Sequence, residues 1–121
     1  MAEHEVASAD ELADGDYLVT ELEGREVGIF NIDGTLYAYT NWCPHQSGPV
    51  CEGYVGGAMD ASFDPERLET TTSWEKEGEI ITCPWHGWEF DLTSGDCLSR
   101  RDRRLLRHEV SVEDGSIVVS L

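Results

Sequence analysis

Lysine is nearly missing from this chain: Lys76 is the one lysine among eight basic residues, set against 25 acidic residues in a length of 121. The resulting formal net charge of −17 excludes nucleic acid and anionic membrane as partners, because both repel such a surface. Long apolar runs are lacking too, and no segment approaches the roughly 20 residues of a membrane-spanning helix. The start, Met1-Ala-Glu-His-Glu5, has neither the basic beginning nor the apolar stretch of a secretion signal, so the expected location is the cytoplasm. Helical periodicity is weak throughout. Disorder is excluded as well, since an acidic disordered tail would lack the Trp, Tyr and Val residues found here, within a 40% hydrophobic composition.

What is present suits a single domain over residues 1–121 with one core and no need of disulfide staples. The acids are spread along the whole chain, a composition similar to that of proteins from salt-in halophiles. Self-repulsion on this scale is tolerable when salt screens it, and the Debye length falls to about 3 Å at 1 M. The fold is therefore expected to loosen in dilute buffer.

Short β-rich runs recur, punctuated by turn dipeptides. They cover 17–22, 25–31, 35–39, 79–82, 88–90, 105–112 and 116–120, with Glu23-Gly24, Asp33-Gly34 and Asp114-Gly115 between neighbours. Asp-Gly supplies the positive φ angles of a tight hairpin. One helical turn is expected at Ser8–Ala13, from a Ser N-cap and early acids. The class is all-β, built of antiparallel strands. Two segments break the rhythm. Residues 40–54 are rich in Cys, His, Pro and Gly, and 56–78 read as a long polar connection without period.

The chemistry concentrates in Cys43-Pro-His45 and Cys83-Pro-Trp-His86-Gly-Trp88. Each places a thiol and an imidazole on a short Pro- or Gly-bearing turn. Residues i and i+2 of an extended segment lie about 6.5–7 Å apart on one side. That spacing suits ligands to two neighbouring metal atoms better than two ligands on one. A structural zinc site, whose ligands more often have two to four residues between them, is the competing reading.

Cys-x-His followed by Cys-x-x-His-Gly resembles the Rieske motif, and Gly48-Pro-Val50, Cys51-Glu-Gly53 and Trp88 to Gly95 match its surroundings. The resemblance covers nearly the whole chain. It implies a Rieske fold of antiparallel sheets with a cluster-binding part at about 40–96, made of two ligand loops. It also implies one [2Fe–2S] cluster, with Cys43 and Cys83 on the inner iron and His45 and His86 on the outer, more exposed one. Two ferric ions, two sulfides and two thiolates sum to zero, so an added electron meets a neutral centre. Rieske potentials therefore lie at roughly −150 to +300 mV, above plant-type ferredoxins. High-potential members add a disulfide between the loops and a Ser and a Tyr hydroxyl near the cluster. The matching positions here are Gly48 and Trp85, and Trp88 and Phe90. Without those hydrogen bonds to sulfur, a low potential for the class follows.

Two departures from the family pattern stand out. No proline follows Pro84, where many relatives have a third, proline-bearing loop, and 37 residues separate His45 from Cys83.

The remaining candidates have plainer readings. Cys51 and Cys97 lack a histidine at ligand spacing and read as small buried hydrophobes, with a disulfide between them as the alternative. His4 and His108 read as surface or edge residues. Trp42, Trp85 and Trp88 flank the ligands and are expected to shield the site, and Trp74 is expected to pack. Arg100, Arg101, Arg103, Arg104 and Arg107 make up five of the eight basic residues. Pairing with the protein's own carboxylates is favoured for them over docking of an acidic partner.

No catalytic constellation accompanies the motif. The expectation is a single-electron carrier, ferredoxin-like and monomeric, between a reductase donor and an oxygenase or reductase acceptor. The small subunit of a nitrite reductase type enzyme is the alternative. Oxygenase chemistry by this chain alone is not expected, since only His4 and His108 remain for a second iron.

Overall fold

Two-residue turns with positive φ set the framework. Glu23-Gly24, Asp33-Gly34 and Asp114-Gly115 all adopt φ between 51° and 86°, the left-handed values that tight hairpins require. They join β2 (Tyr17–Leu22) to β3 (Arg25–Ile32), β3 to β4 (Thr35–Thr40), and β8 (Arg107–Glu113) to β9 (Ser116–Ser120). A computed structural model describes residues 3–44, 48–85, 87–98, 100 and 102–121, with the backbone alone described over 58–64 and 71–75.

With β1 (Glu3–Ser8) these strands form one antiparallel sheet in the order β1-β9-β8-β4-β3-β2. His4 Nε2 meets a Glu23 carboxylate oxygen at 2.8 Å, joining the first edge strand to the turn beyond the other. The sheet therefore curls toward closure. Its middle is buried on both faces: Val27, Ile29 and Ala38 pack with Leu12, Ile117 and Val119. Phe30 and Tyr39, the alternating neighbours on the same strands, face a second core with Val50, Ile81, Phe90 and Leu92. That second core belongs to a three-stranded sheet of β5 (Tyr54–Asp64), β6 (Glu69–Thr82) and β7 (Glu89–Asp91).

The all-β class stands, and the expected strands at 17–22 and 116–120 appear with the same bounds. The expected helical turn is a 3-10 turn at Ala9–Glu11, where the Ser8 N–H donates to the Glu11 carboxylate. Residues 56–78, expected as a structureless connection, instead form most of a long hairpin. Ala58–Asp64 pairs residue for residue with Glu69–Glu75. Met59, Ala61 and Phe63 alternate with Asp60, Ser62 and Asp64, but Glu69 to Ser73 opposite them is polar at every position, so the pair gives little period-2 signal in sequence although the hydrogen-bond ladder forms. Asp64-Pro65 at its tip was a further local sign. β1 was missed for a related reason: charged residues alternate along this edge strand, which discourages further pairing.

Candidate metal centre

Both motif loops begin where a strand ends, Cys43 shortly after β4 and Cys83 directly after β6. Each closes with the same hydrogen bond. The Cys43 N–H donates to the Gly48 carbonyl at 2.8 Å, and the Cys83 N–H donates to the Trp88 carbonyl at 2.8 Å. In both loops the carbonyl lies five residues beyond the cysteine, so each ring encloses one histidine in sequence. The second loop also carries a bond from the Gly87 N–H to the Cys83 carbonyl, at 3.0 Å. Gly87 has φ +73°, a turn any larger residue would make at a cost. Cys43 and Cys83 are both buried, in the same core cluster. His45 and His86 lie outside the described residues.

The loops are held against each other by close approach. A Cβ on Gly48 would stand 2.8 Å from Cγ and 3.1 Å from Cβ of Trp85, so the indole lies directly on the glycine. These are the two positions that carry the inter-loop disulfide in high-potential relatives, and here a ring packs where that bridge would be. Gly53 plays the same part at the base. A Cβ there would fall 1.9 Å from the Thr82 carbonyl oxygen, the residue before Cys83. Asn41 fixes the first loop: its Oδ1 accepts the Cys51 N–H at 2.8 Å, and its Nδ2 donates to Glu52 at 3.2 Å. Asn41 was not singled out from sequence, since it carries no metal chemistry, and Gly53 was noted only as part of the family match, not for this contact.

The second loop runs into β7, where Asp91 is buried at 5% exposure. Burial raises its pKa, but hydrogen bonds from Lys76 Nζ and from the Thr93 hydroxyl and N–H outweigh this and leave it below the usual carboxylate range. Lys76 reaches Asp91 at 2.6 Å from a bulge where β6 extrudes residues 76–79. The chain's single lysine therefore ties the hairpin to the strand that follows the second loop.

The other candidates separate clearly. Cys51 and Cys97 are buried and form no disulfide. Burial pushes the Cys51 thiol up to about 12, and it lies on Gly28, where a Cβ would come within 2.6 Å of the sulfur. His108 bonds the Thr40 hydroxyl at 2.6 Å, and burial with nearby Arg25 lowers its pKa. Trp42 and Trp85 are exposed rather than shielding, at 39% and 56%, whereas Trp88 is partly buried against the core. The Trp74 side chain lies outside what is described. Of the arginines, Arg104 pairs with Asp96 at 2.7 Å. Arg100 and Arg107 instead lie over Trp88 and Tyr37, contacts that favour a cation over an aromatic face. Arg101 lies outside the described residues. Among the described residues self-compensation by an ion pair therefore holds for Arg104, and Arg107 has none.

Two buried thiols on hydrogen-bonded turns that pack on each other suit ligation of one metal group by both loops. Among the described residues no three His, Cys, Asp or Glu side chains cluster as a metal site, and no helix is long and apolar enough to cross a membrane.

Comparison with known proteins identifies the family. A family model described as Rieske [2Fe-2S] domain matches residues 2–108. The chain is 25% identical over 118 residues to the ferredoxin component of the naphthalene 1,2-dioxygenase system of Pseudomonas putida, covering 97% of this chain and 93% of that protein. Among solved structures it is similar to the ferredoxin of carbazole 1,9a-dioxygenase from Nocardioides aromaticivorans IC177. There the TM-score is 0.68 at 23% identity, covering 99% and 98% of the two chains. A putative NADH-dependent nitrite reductase small subunit from Mycobacterium tuberculosis gives 0.69 at 20%, covering 98% and 93%. These two likenesses show the fold.

Proposed function

The chain belongs to the Rieske [2Fe–2S] domain family, and from that premise we propose that it is a single-electron carrier whose one cluster is held by Cys43, His45, Cys83 and His86. The observation that carries the reading is the pair of loops, each closed from its cysteine N–H to a carbonyl five residues on and packed together through Gly48 and Trp85. When bound, the cluster accepts and releases one electron. The chain's own part is to bury the two thiolates, exclude water from them, and hold the two loops in fixed relation. Cys43 and Cys83 would hold the inner iron, and His45 and His86 the outer one.

Its partners on this reading are a reductase donor and an oxygenase or reductase acceptor, reached as a monomer, with residues 1–121 acting as one domain in the cytoplasm of a salt-rich cell. The likeness to the naphthalene dioxygenase ferredoxin supports the oxygenase branch. The likeness to a nitrite reductase small subunit favours a second reading, a subunit of a larger reductase. A monodisperse monomer on gel filtration supports the carrier, and a stable complex on purification supports the subunit. Phe90 and Trp88 offer no hydroxyl to the cluster, which supports a potential low in the roughly −150 to +300 mV range. The deciding experiment is electron paramagnetic resonance of the dithionite-reduced protein in molar salt. A rhombic signal with the low average g of a His-ligated cluster is expected. A silent sample with stoichiometric zinc would overturn the assignment.

A further inference from the structure

One groove of about 420 Å³ runs beside the first ligand loop, lined by Arg25, Thr40, Trp42, Leu106, Arg107 and His108. Its position is set by strand ends: Arg25 opens β3, Thr40 closes β4, and Arg107 opens β8. Trp42 is the residue before Cys43. Two features set the groove apart. Its apolar members stay open to solvent, Trp42 at 39% and Leu106 at 51% exposure. Its ionisable members are two arginines and a histidine, with no carboxylate among them, in a protein with 25 acidic residues.

Among the described residues neither Arg25 nor Arg107 forms an ion pair, whereas His4–Glu23, Lys76–Asp91 and Arg104–Asp96 do. Arg107 lies over the Tyr37 ring, which leaves its N–H groups available at the edges. Carboxylates border each arginine on its other side, Glu23 near Arg25 and Glu3 and Glu109 near Arg107, and none of them lines the groove itself.

We propose that this groove is a docking site for an acidic, apolar-tipped segment of a redox partner, with Arg25 and Arg107 taking its carboxylates and Trp42 and Leu106 its apolar side chain. The inference rests on the electron-carrier reading, and it names the partner's contact chemistry. An acidic protein would then recruit its partner through a groove at the loop that no carboxylate lines, while its acidic surface elsewhere repels misdirected acidic contacts. Arginine suits the role because its planar fork pairs carboxylates in two places at once.

The test uses the cluster-loaded full chain at the lowest salt that leaves its melting transition unchanged. The probe is the peptide Glu-Leu-Glu-Glu-Leu-Glu, titrated calorimetrically, with Lys-Leu-Lys-Lys-Leu-Lys as the control for general attraction to an acidic surface. The acidic peptide is expected to bind, and the Arg25→Gln/Arg107→Gln double variant to bind it at least tenfold more weakly with an unchanged resonance signal. Should the double variant fail to fold, Arg25→Gln alone is expected to weaken binding at least threefold. Leu106→Ser should weaken it as well, since it removes apolar contact and no charge. No binding of the acidic peptide, or equal binding by the charge variants, overturns the proposal. An absent resonance signal in the parent protein strikes down the carrier reading instead, so the two failures are distinguishable.

Discussion

Gly53→Ala adds one methyl group and tests whether the base of the second loop positions the cluster. Gly53 has φ −80°, an angle alanine adopts without strain. The substitution should even favour folding by about 0.4–1 kcal/mol, because alanine has fewer unfolded conformations to lose. The clash acts against this. The new Cβ would meet the Thr82 carbonyl oxygen at 1.9 Å and the Thr82 carbonyl carbon at 2.9 Å. Backbone cannot rotate away, so Gly53 and Thr82 must part by more than an ångström, and Cys83 moves with its neighbour. Overpacking of this kind costs about 1–3 kcal/mol. Each kcal/mol is worth roughly 3–6 °C in Tm for a chain this size. The control lies three residues on. At Gly56 an added Cβ meets mainly the ring of Tyr54, which is 71% exposed and free to turn aside. Iron per chain, the reduced resonance signal and Tm are measured for both variants. Gly53→Ala should lose cluster occupancy and melt several degrees lower, while Gly56→Ala stays close to the parent. A fully loaded Gly53→Ala protein with parental Tm would refute the reasoning.

Four other outcomes are expected. Replacing His45 or His86 by Cys exchanges a neutral imidazole for a thiolate, so the midpoint potential should fall toward plant-type values near about −400 mV, as voltammetry would show. Gly48→Cys with Trp85→Cys places two Cβ positions 3.1 Å apart in the present backbone. Disulfides prefer about 3.5–4.5 Å, so the loops should part slightly and a bridge form, seen as a loss of two mass units and of free thiol. Lys76→Met leaves Asp91 its two Thr93 bonds but removes its charged partner, an expected loss of about 1–2 kcal/mol once the exposure of Lys76 is discounted. Because the folded Asp91 pKa is lowered, its contribution is present above the unfolded value of about 3.9 and is lost as pH falls below it. The variant's Tm should therefore fall less steeply in acid than the parent's. The lowered His108 pKa acts in the same direction from about pH 6.5 downward, and His108→Gln should flatten that part of the Tm profile. Finally, a net charge of −17 predicts a Tm that rises between dilute and molar salt, and a salt-independent melt would contradict the halophile-like reading.

The sequence alone determined the chemistry and most of the large sheet. The proposed ligands Cys43, His45, Cys83 and His86 stand out in sequence because metal ligands are residues of these types at short spacing. The strands around Asp33-Gly34 and Asp114-Gly115 are legible because hairpin turns and alternation are local properties. What lay beyond local pattern needed the tertiary structure. The β5–β6 ribbon pairs the short alternation Met59, Ala61, Phe63 with the polar run Glu69 to Ser73, so its cross-strand ladder is what reveals it as a hairpin. Gly48 and Gly53 match the motif's surroundings in sequence, but why they must be glycine shows only when Trp85 and Thr82 are seen against them. The fate of the arginines followed the same rule, with Arg104 neutralised by Asp96 and Arg107 left beside Trp42 in an acid-free groove. Sequence spacing reports which groups a chain carries. Which of them touch is decided by residues distant in sequence, since packing and charge pairing act through space.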